Sequence, residues 1–195
     1  MISGTWTCSV HDRLPSTARR FEAGETFAQL LQRPKLNGEL WEALYKRARI
    51  SDGSLLRAKA LSGRWNVLVL NEDWCGDSVN VLPFLARLKE ASANIDLRIL
   101  SRDSNPDIMD AHLTANSRSI PVVIVYDEEF VERGWWGPRP GPLQEWVLAE
   151  GLALARPERY RKVRTWYARD RGETLVSEVL AIMEKAAKGN EKAAF

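Results

Sequence analysis

The sequence predicts an α/β fold: a central mixed β-sheet of about four strands flanked by helices, with further helices before and after it. Three observations predict it. Val67-Leu68-Val69-Leu70 is a short, uninterrupted apolar run, partly β-branched, as expected of a central parallel strand covered on both faces. Runs of this kind alternate with stretches of helical apolar spacing, which implies crossover connections. Later, Ile120–Tyr126 and Glu129–Trp135 stand side by side, joined by a short turn at Asp127-Glu128, and read as an antiparallel hairpin.

Taken in order, residues 21–62 carry helix signals. Phe27, Leu30 and Leu31, then Leu40, Trp41, Leu44 and Tyr45, recur at spacings of three and four. Asn37-Gly38 separates the first two of these helices, Ser51-Asp52-Gly53 separates the second from a third, and Gly63 closes the helical preface. After the Val67–Leu70 strand comes Asp73-Trp74-Cys75-Gly76-Asp77-Ser78, then a helical pattern through Val81, Leu82, Leu85 and Leu88. Ile95–Leu100 is the second strand. Asn105 to Thr114 reads as a helix with Pro106 in its first turn. The hairpin follows, then a helix near 141–155 and one or two within 157–188. The order βαβαββα predicts a helical extension over 1–62, an α/β domain over 63–155, and a C-terminal helical extension over 156–195 packed on that domain.

Composition narrows the function classes. The chain has 195 residues, 45% hydrophobic and 28% charged, enough for one good core. A net charge of +2 is too mild to point to nucleic acid or an acidic membrane surface. The basic, aromatic stretch Arg156–Arg169 reads as a solvated helix face with Tyr160, Val163 and Tyr167 turned inward. No apolar run reaches the roughly 18–20 residues that a bilayer span needs. Met1–Val10 lacks the basic head and apolar stretch of a secretory signal, so a cytoplasmic location is expected. In that setting Cys8 and Cys75 are expected to stay reduced. His11 and His112 show no zinc spacing with them, and neither a metal nor a cofactor is expected.

The chemistry concentrates at Cys75. A cysteine after a strand and at the start of a helix meets free backbone N–H groups and the positive end of the helix dipole. Such settings favour the thiolate, the nucleophilic form. Trp74 is placed to shield one side, and Gly76 to admit a partner's backbone.

Several motifs in one order then acquire a shared meaning. The stretch Val67–Ser78 resembles the strand and active-site turn of thioredoxins, whose pattern is Trp-Cys-Gly-Pro-Cys. Pro83 resembles their helix-kinking proline, Ser104-Asn105-Pro106 their loop before the third helix, Ile120-Pro121 their cis-proline, and Gly137 their glycine after the last strand. The Trp-Cys-Gly-Asp turn and the run Trp136-Gly-Pro-Arg-Pro140 are similar to a bacterial thioredoxin-like subfamily. The resemblance implies a thioredoxin fold with Cys75 as attacking thiol and Ser78 as its hydrogen-bonding neighbour. It also implies a substrate surface made of Trp74, Gly76, Ile120 and Pro121, where a cis proline exposes the Ile120 backbone to an extended chain.

The departures from that pattern matter equally. Ser78 stands where the second cysteine belongs and cannot resolve a mixed disulfide. Val69 replaces a buried acid. Asp77 replaces a proline, where its charge would raise the thiol pKa or simply favour the helix start. Cys8 would resolve only if its segment crossed the turn to within about 7 Å; otherwise a small thiol such as glutathione would serve. The implied function is a thiol/disulfide oxidoreductase working with one thiol on protein or low-molecular-weight thiols and disulfides. The alternative is a redox-inactive binding module for protein or peptide segments.

Overall fold

The computed structural model describes residues 16–33 and 36–193. Four helices come first: α1 (Ser16–Glu22), α2 (Phe27–Gln32), α3 (Gly38–Arg47) and α4 (Asp52–Ala60). There follow β1 (Trp65–Asn71), α5 (Ser78–Ala91), β2 (Ile95–Ser101), α6 (Pro106–Ala111), β3 (Val122–Tyr126) and β4 (Glu132–Trp136). The chain continues as α7 (Gly141–Ala149), a 3-10 turn at Gly151–Ala153, α8 (Arg156–Asp170) and α9 (Glu173–Ala193).

The sheet order is β2-β1-β3-β4, with β1 and β2 parallel and the pairs β1/β3 and β3/β4 antiparallel. Because side chains alternate along a strand, β1 divides its residues between two cores. Val67 and Val69 join Val123 and Val125 on one face, under Leu82 and Leu85 of α5 and Val179 and Leu180 of α9. Phe27, Leu30, Trp41 and Ala58 of the N-terminal helices, with Val163 and Tyr167 of α8, extend that same core. On the other face Leu68, Leu70, Val122 and Ile124 pack with Phe21 of α1, Met109 of α6 and Cys75. Each large apolar side chain so buried contributes roughly 1.5–3 kcal/mol relative to exposure.

Where element ends differ from the sequence reading, local chemistry explains it. The strand after the hairpin turn starts at Glu132 rather than Glu129 because the Asp127 carboxylate accepts from the N–H groups of Glu129 (3.1 Å) and Val131 (2.9 Å). These bonds hold the intervening residues in a wider turn, with Phe130 in the left-handed region (φ 60°). The α6 helix stops at Ala111, short of Thr114, and the His112 ring caps its end by bonding the Ile108 carbonyl at 2.7 Å. The last helical stretch is two helices, separated at Arg171 and Gly172, which both have positive φ. A Cβ on Gly172 would lie 2.4 Å from the Phe84 ring, so only glycine fits there. The seven-residue α1 starts at Ser16, ahead of the stretch that carries helix signals, and overlaps only its first two residues.

Candidate active site

The site is built at the C-terminal end of β1, where the chain turns into α5. Residues Glu72 to Asp77 make that turn, and three sets of contacts pin it. The Cys75 N–H donates to the Glu72 carbonyl at 3.0 Å. The Glu72 carboxylate accepts from the Ser101 hydroxyl (2.8 Å) and the Asp103 N–H (3.0 Å), which ties the turn to the end of β2. Asp73 is held from the N-terminal side: Arg33, just past α2, donates to Asp73 Oδ1 at 2.7 Å and to both oxygens of Glu25 at 2.9 and 3.0 Å.

Cys75 lies at the mouth of α5 but faces inward. Its sulfur is 3.4 Å from the Ile120 carbonyl oxygen, to which the thiol donates, and it accepts from the Ser78 N–H at 3.4 Å. The Ile120–Pro121 peptide bond is cis. Gly137, after β4, lies against that loop with φ 142°, and a Cβ there would stand 2.2 Å from the Pro121 carbonyl oxygen. The next bond, Gly137–Pro138, is also cis. Cys75, Ser78, Ile120 and Pro121 therefore converge. Trp74 and Gly76 flank them. Trp74 is 52% exposed, with the Arg102 guanidinium 5.0 Å from its ring centre, and a Cβ on Gly76 would meet nothing within 4 Å.

The electrostatics correct one expectation. Burial pushes the Cys75 thiol up, since only 8% of the residue is exposed. The Ser78 hydroxyl and the N–H groups of Ser78 and Asp77 pull it down, as the helix start predicts, and the Asp77 charge adds to the rise. Burial wins. The Ser78 hydroxyl is itself buried beside the sulfur and committed to no other partner, so it is available to a thiolate.

Asp77 also differs from its helix-start reading. It occupies the N-cap of α5 yet makes no side-chain cap bond. Its carboxylate, 5% exposed at the residue level, instead takes two bonds from Arg139, Nε to Oδ1 at 3.0 Å and Nη2 to Oδ2 at 2.6 Å. A third comes from the Tyr167 hydroxyl at 3.0 Å. Burial raises the Asp77 carboxyl, with Arg139 and Tyr167 opposing; burial likewise holds the Tyr167 phenol well above its ordinary value.

Residues 24–160 match the family model described as Thioredoxin. The chain belongs to the thioredoxin family. The mixed four-stranded sheet with flanking helices is the thioredoxin fold, here with helices added at both ends. It is similar to the crystal structure of a protein of unknown function from Pseudomonas aeruginosa, at 26% identity and a TM-score of 0.72, over 89% of this chain and 99% of that one. It is also similar to an HIV epitope-scaffold, at 26% identity and a TM-score of 0.70, over 88% and 99% of the two chains. No curated protein matches it.

Within this thioredoxin-family site, Val69 is fully buried among apolar neighbours where the resemblance implies an acid. Cys8 and His11 lie outside the described residues. No cluster of His, Cys, Asp and Glu suited to a metal ion occurs among the described residues, and none of their helices is long and apolar enough to cross a membrane. Trp136 is buried and donates to Glu178 of α9 at 2.6 Å, while Trp135 packs edge-on against His112, 5.7 Å between centres. The residues that sequence reasoning missed are Arg33, Arg139 and Tyr167. Arg139 sat between two prolines in a run already singled out, and that was the available signal. The sequence turns Tyr167 inward, and no spacing names its partner.

Proposed function

We propose that this thioredoxin-family protein is a thiol/disulfide oxidoreductase that works with Cys75 as its one attacking thiol. The observation that carries the reading is the Cys75 sulfur lying 3.4 Å from the carbonyl of Ile120, immediately before the cis bond to Pro121. An extended substrate pairing with the Ile120 backbone brings its disulfide against that sulfur. The thiolate attacks one substrate sulfur, forming a Cys75–substrate mixed disulfide while the other sulfur leaves as thiolate. Ser78 offers its hydroxyl and N–H to the ionised sulfur but supplies no second thiol. An external low-molecular-weight thiol of the glutathione class therefore attacks the mixed disulfide, carries the substrate sulfur away in a new disulfide, and returns Cys75 as thiolate.

The raised thiol pKa gives this cycle a particular character. At neutral pH Cys75 is mostly protonated and attacks slowly, and once joined it is a poor leaving group, because release favours thiols of low pKa. Long-lived mixed disulfides follow, in place of rapid turnover. The test uses Cys8→Ser protein, so that one thiol remains, incubated with glutathione disulfide at rising pH. The expected result is a single glutathione adduct that forms faster above the ordinary thiol range, reverses with excess thiol, and is lost in Cys8→Ser/Cys75→Ala. Absence of any adduct up to pH 10 overturns the redox reading.

A further inference from the structure

A cavity of about 680 Å³ opens between α3, the first half of α5 and the α8–α9 junction. Its size falls in the roughly 300–1,000 Å³ range of small-molecule sites. The lining divides by chemistry. Leu40, Ile50 and Phe84 supply apolar surface, and Leu40 is left 43% exposed. Arg47, Arg164 and Arg171 supply positive charge, and none of the three forms an ion pair among the described residues. The carboxylate of the lining, Glu173, forms no ion pair with them and accepts from the hydroxyls of Ser51 (2.9 Å) and Ser54 (3.3 Å), and its single negative charge leaves the lining net positive. Arg171 is held in place by backbone, since the Gly172 beside it lies directly against the Phe84 ring.

A fourth lining arginine, Arg49, is turned to the carbonyls of Lys46 and Ala48, and the other three cationic forks beside an apolar wall restrict what can bind. A hydrated inorganic anion would satisfy the guanidinium groups but gain nothing from Leu40, Ile50 and Phe84. A neutral hydrocarbon would fill the apolar part while stripping water from unpaired cations, which is unfavourable. A polyanion the size of a nucleic acid does not enter a cavity of this volume. We propose that the cavity binds a small amphipathic anion, an apolar body of fatty-acid size bearing one carboxylate, with the tail against Leu40, Ile50 and Phe84 and the head on Arg47, Arg164 and Arg171. A planar carboxylate matches the guanidinium fork in two parallel bonds. The cavity backs onto the reactive turn, since its lining residue Tyr167 bonds Asp77 and its lining residue Asn80 bonds the Gly76 carbonyl, but the proposal does not depend on the thiol chemistry.

The experiment is titration calorimetry on the full chain with decanoate held below its micelle-forming concentration, with decanol and inorganic phosphate as separate titrants. Decanoate is expected to saturate a single site, and decanol and phosphate to bind at least about tenfold more weakly. Arg47→Glu and Arg164→Glu should each weaken decanoate by about tenfold or more, and Leu40→Asp should weaken it through the tail. All three positions are exposed, so these variants keep the fold, and circular dichroism checks it. The proposal is overturned if decanoate fails to bind, binds no better than decanol, or binds all three variants as tightly as the original chain.

Discussion

The two sides of the Trp74–Ser78 turn are almost equally buried and rest on different physics. On one side the Cys75 sulfur sits in an apolar cluster with Leu70, Met109 and Ile120, and its partners are neutral: a carbonyl and an amide N–H. What shapes that side is contact, with Gly137 allowing the Pro121 backbone to close over it. On the other side Asp77 is surrounded by charge and hydroxyl, with Arg139 and Tyr167 converging on one carboxylate. The difference teaches which side tolerates change. A neutral, packed site loses stability in proportion to misfit, whereas a buried charge stripped of its partner costs far more than the pair contributes when intact.

The comparison is broken most forcefully at Arg139. Arg139→Met leaves the Asp77 carboxylate buried with only Tyr167, and a loss of about 3–5 kcal/mol is expected in urea unfolding. Adding Asp77→Asn to that variant should recover most of it. A loss below about 1 kcal/mol from Arg139→Met would show that no charge is stranded.

Gly137→Ala attacks the packed side instead. The new Cβ has no room beside the Pro121 carbonyl and the backbone there is unsuited to a side chain, so about 2–4 kcal/mol is expected to go. Alkylation of Cys75 should become faster in the same variant, because the loop must lift from the sulfur. Unchanged melting and unchanged alkylation would mean that the loop does not depend on this close approach.

The smallest effect sharpens the comparison through pH. The folded pKa of Cys75 lies above its unfolded value, mainly through burial. Its contribution to stability is therefore complete below the ordinary thiol range and fades as pH rises through the folded pKa. Between about pH 8 and pH 10 the original chain should lose stability faster than Cys75→Ser, the two being compared so that Tyr126 and Tyr167, also raised, cancel. Parallel curves would count against a buried, protonated thiol.

These two sides also differ in how they could be read from the chain. Cys75, Ser78, Ile120 and Pro121 came from motif order and from a strand–turn–helix pattern that is local in sequence. The apolar run at Val67–Leu70 likewise announced the strand that carries them. The partners of Asp77 lie 62 and 90 residues away, and an arginine–carboxylate pair has no periodicity to betray it. The helix-start effect on Cys75 was read with the right sign, but its size against burial depends on how tightly Ile120 and its neighbours close over the sulfur, which no spacing rule reports. The hairpin turn was misplaced for a similar reason: one carboxylate, Asp127, reorganises the residues that follow it.

The grip of Arg33 on Asp73 has a practical corollary for anyone cutting the gene. A fragment begun at the first sheet strand would keep the reactive turn yet forfeit the cation that steadies its leading edge, along with the aromatic and leucine side chains of α2 and α3 that roof the sheet. The smallest piece worth expressing starts upstream of Glu25.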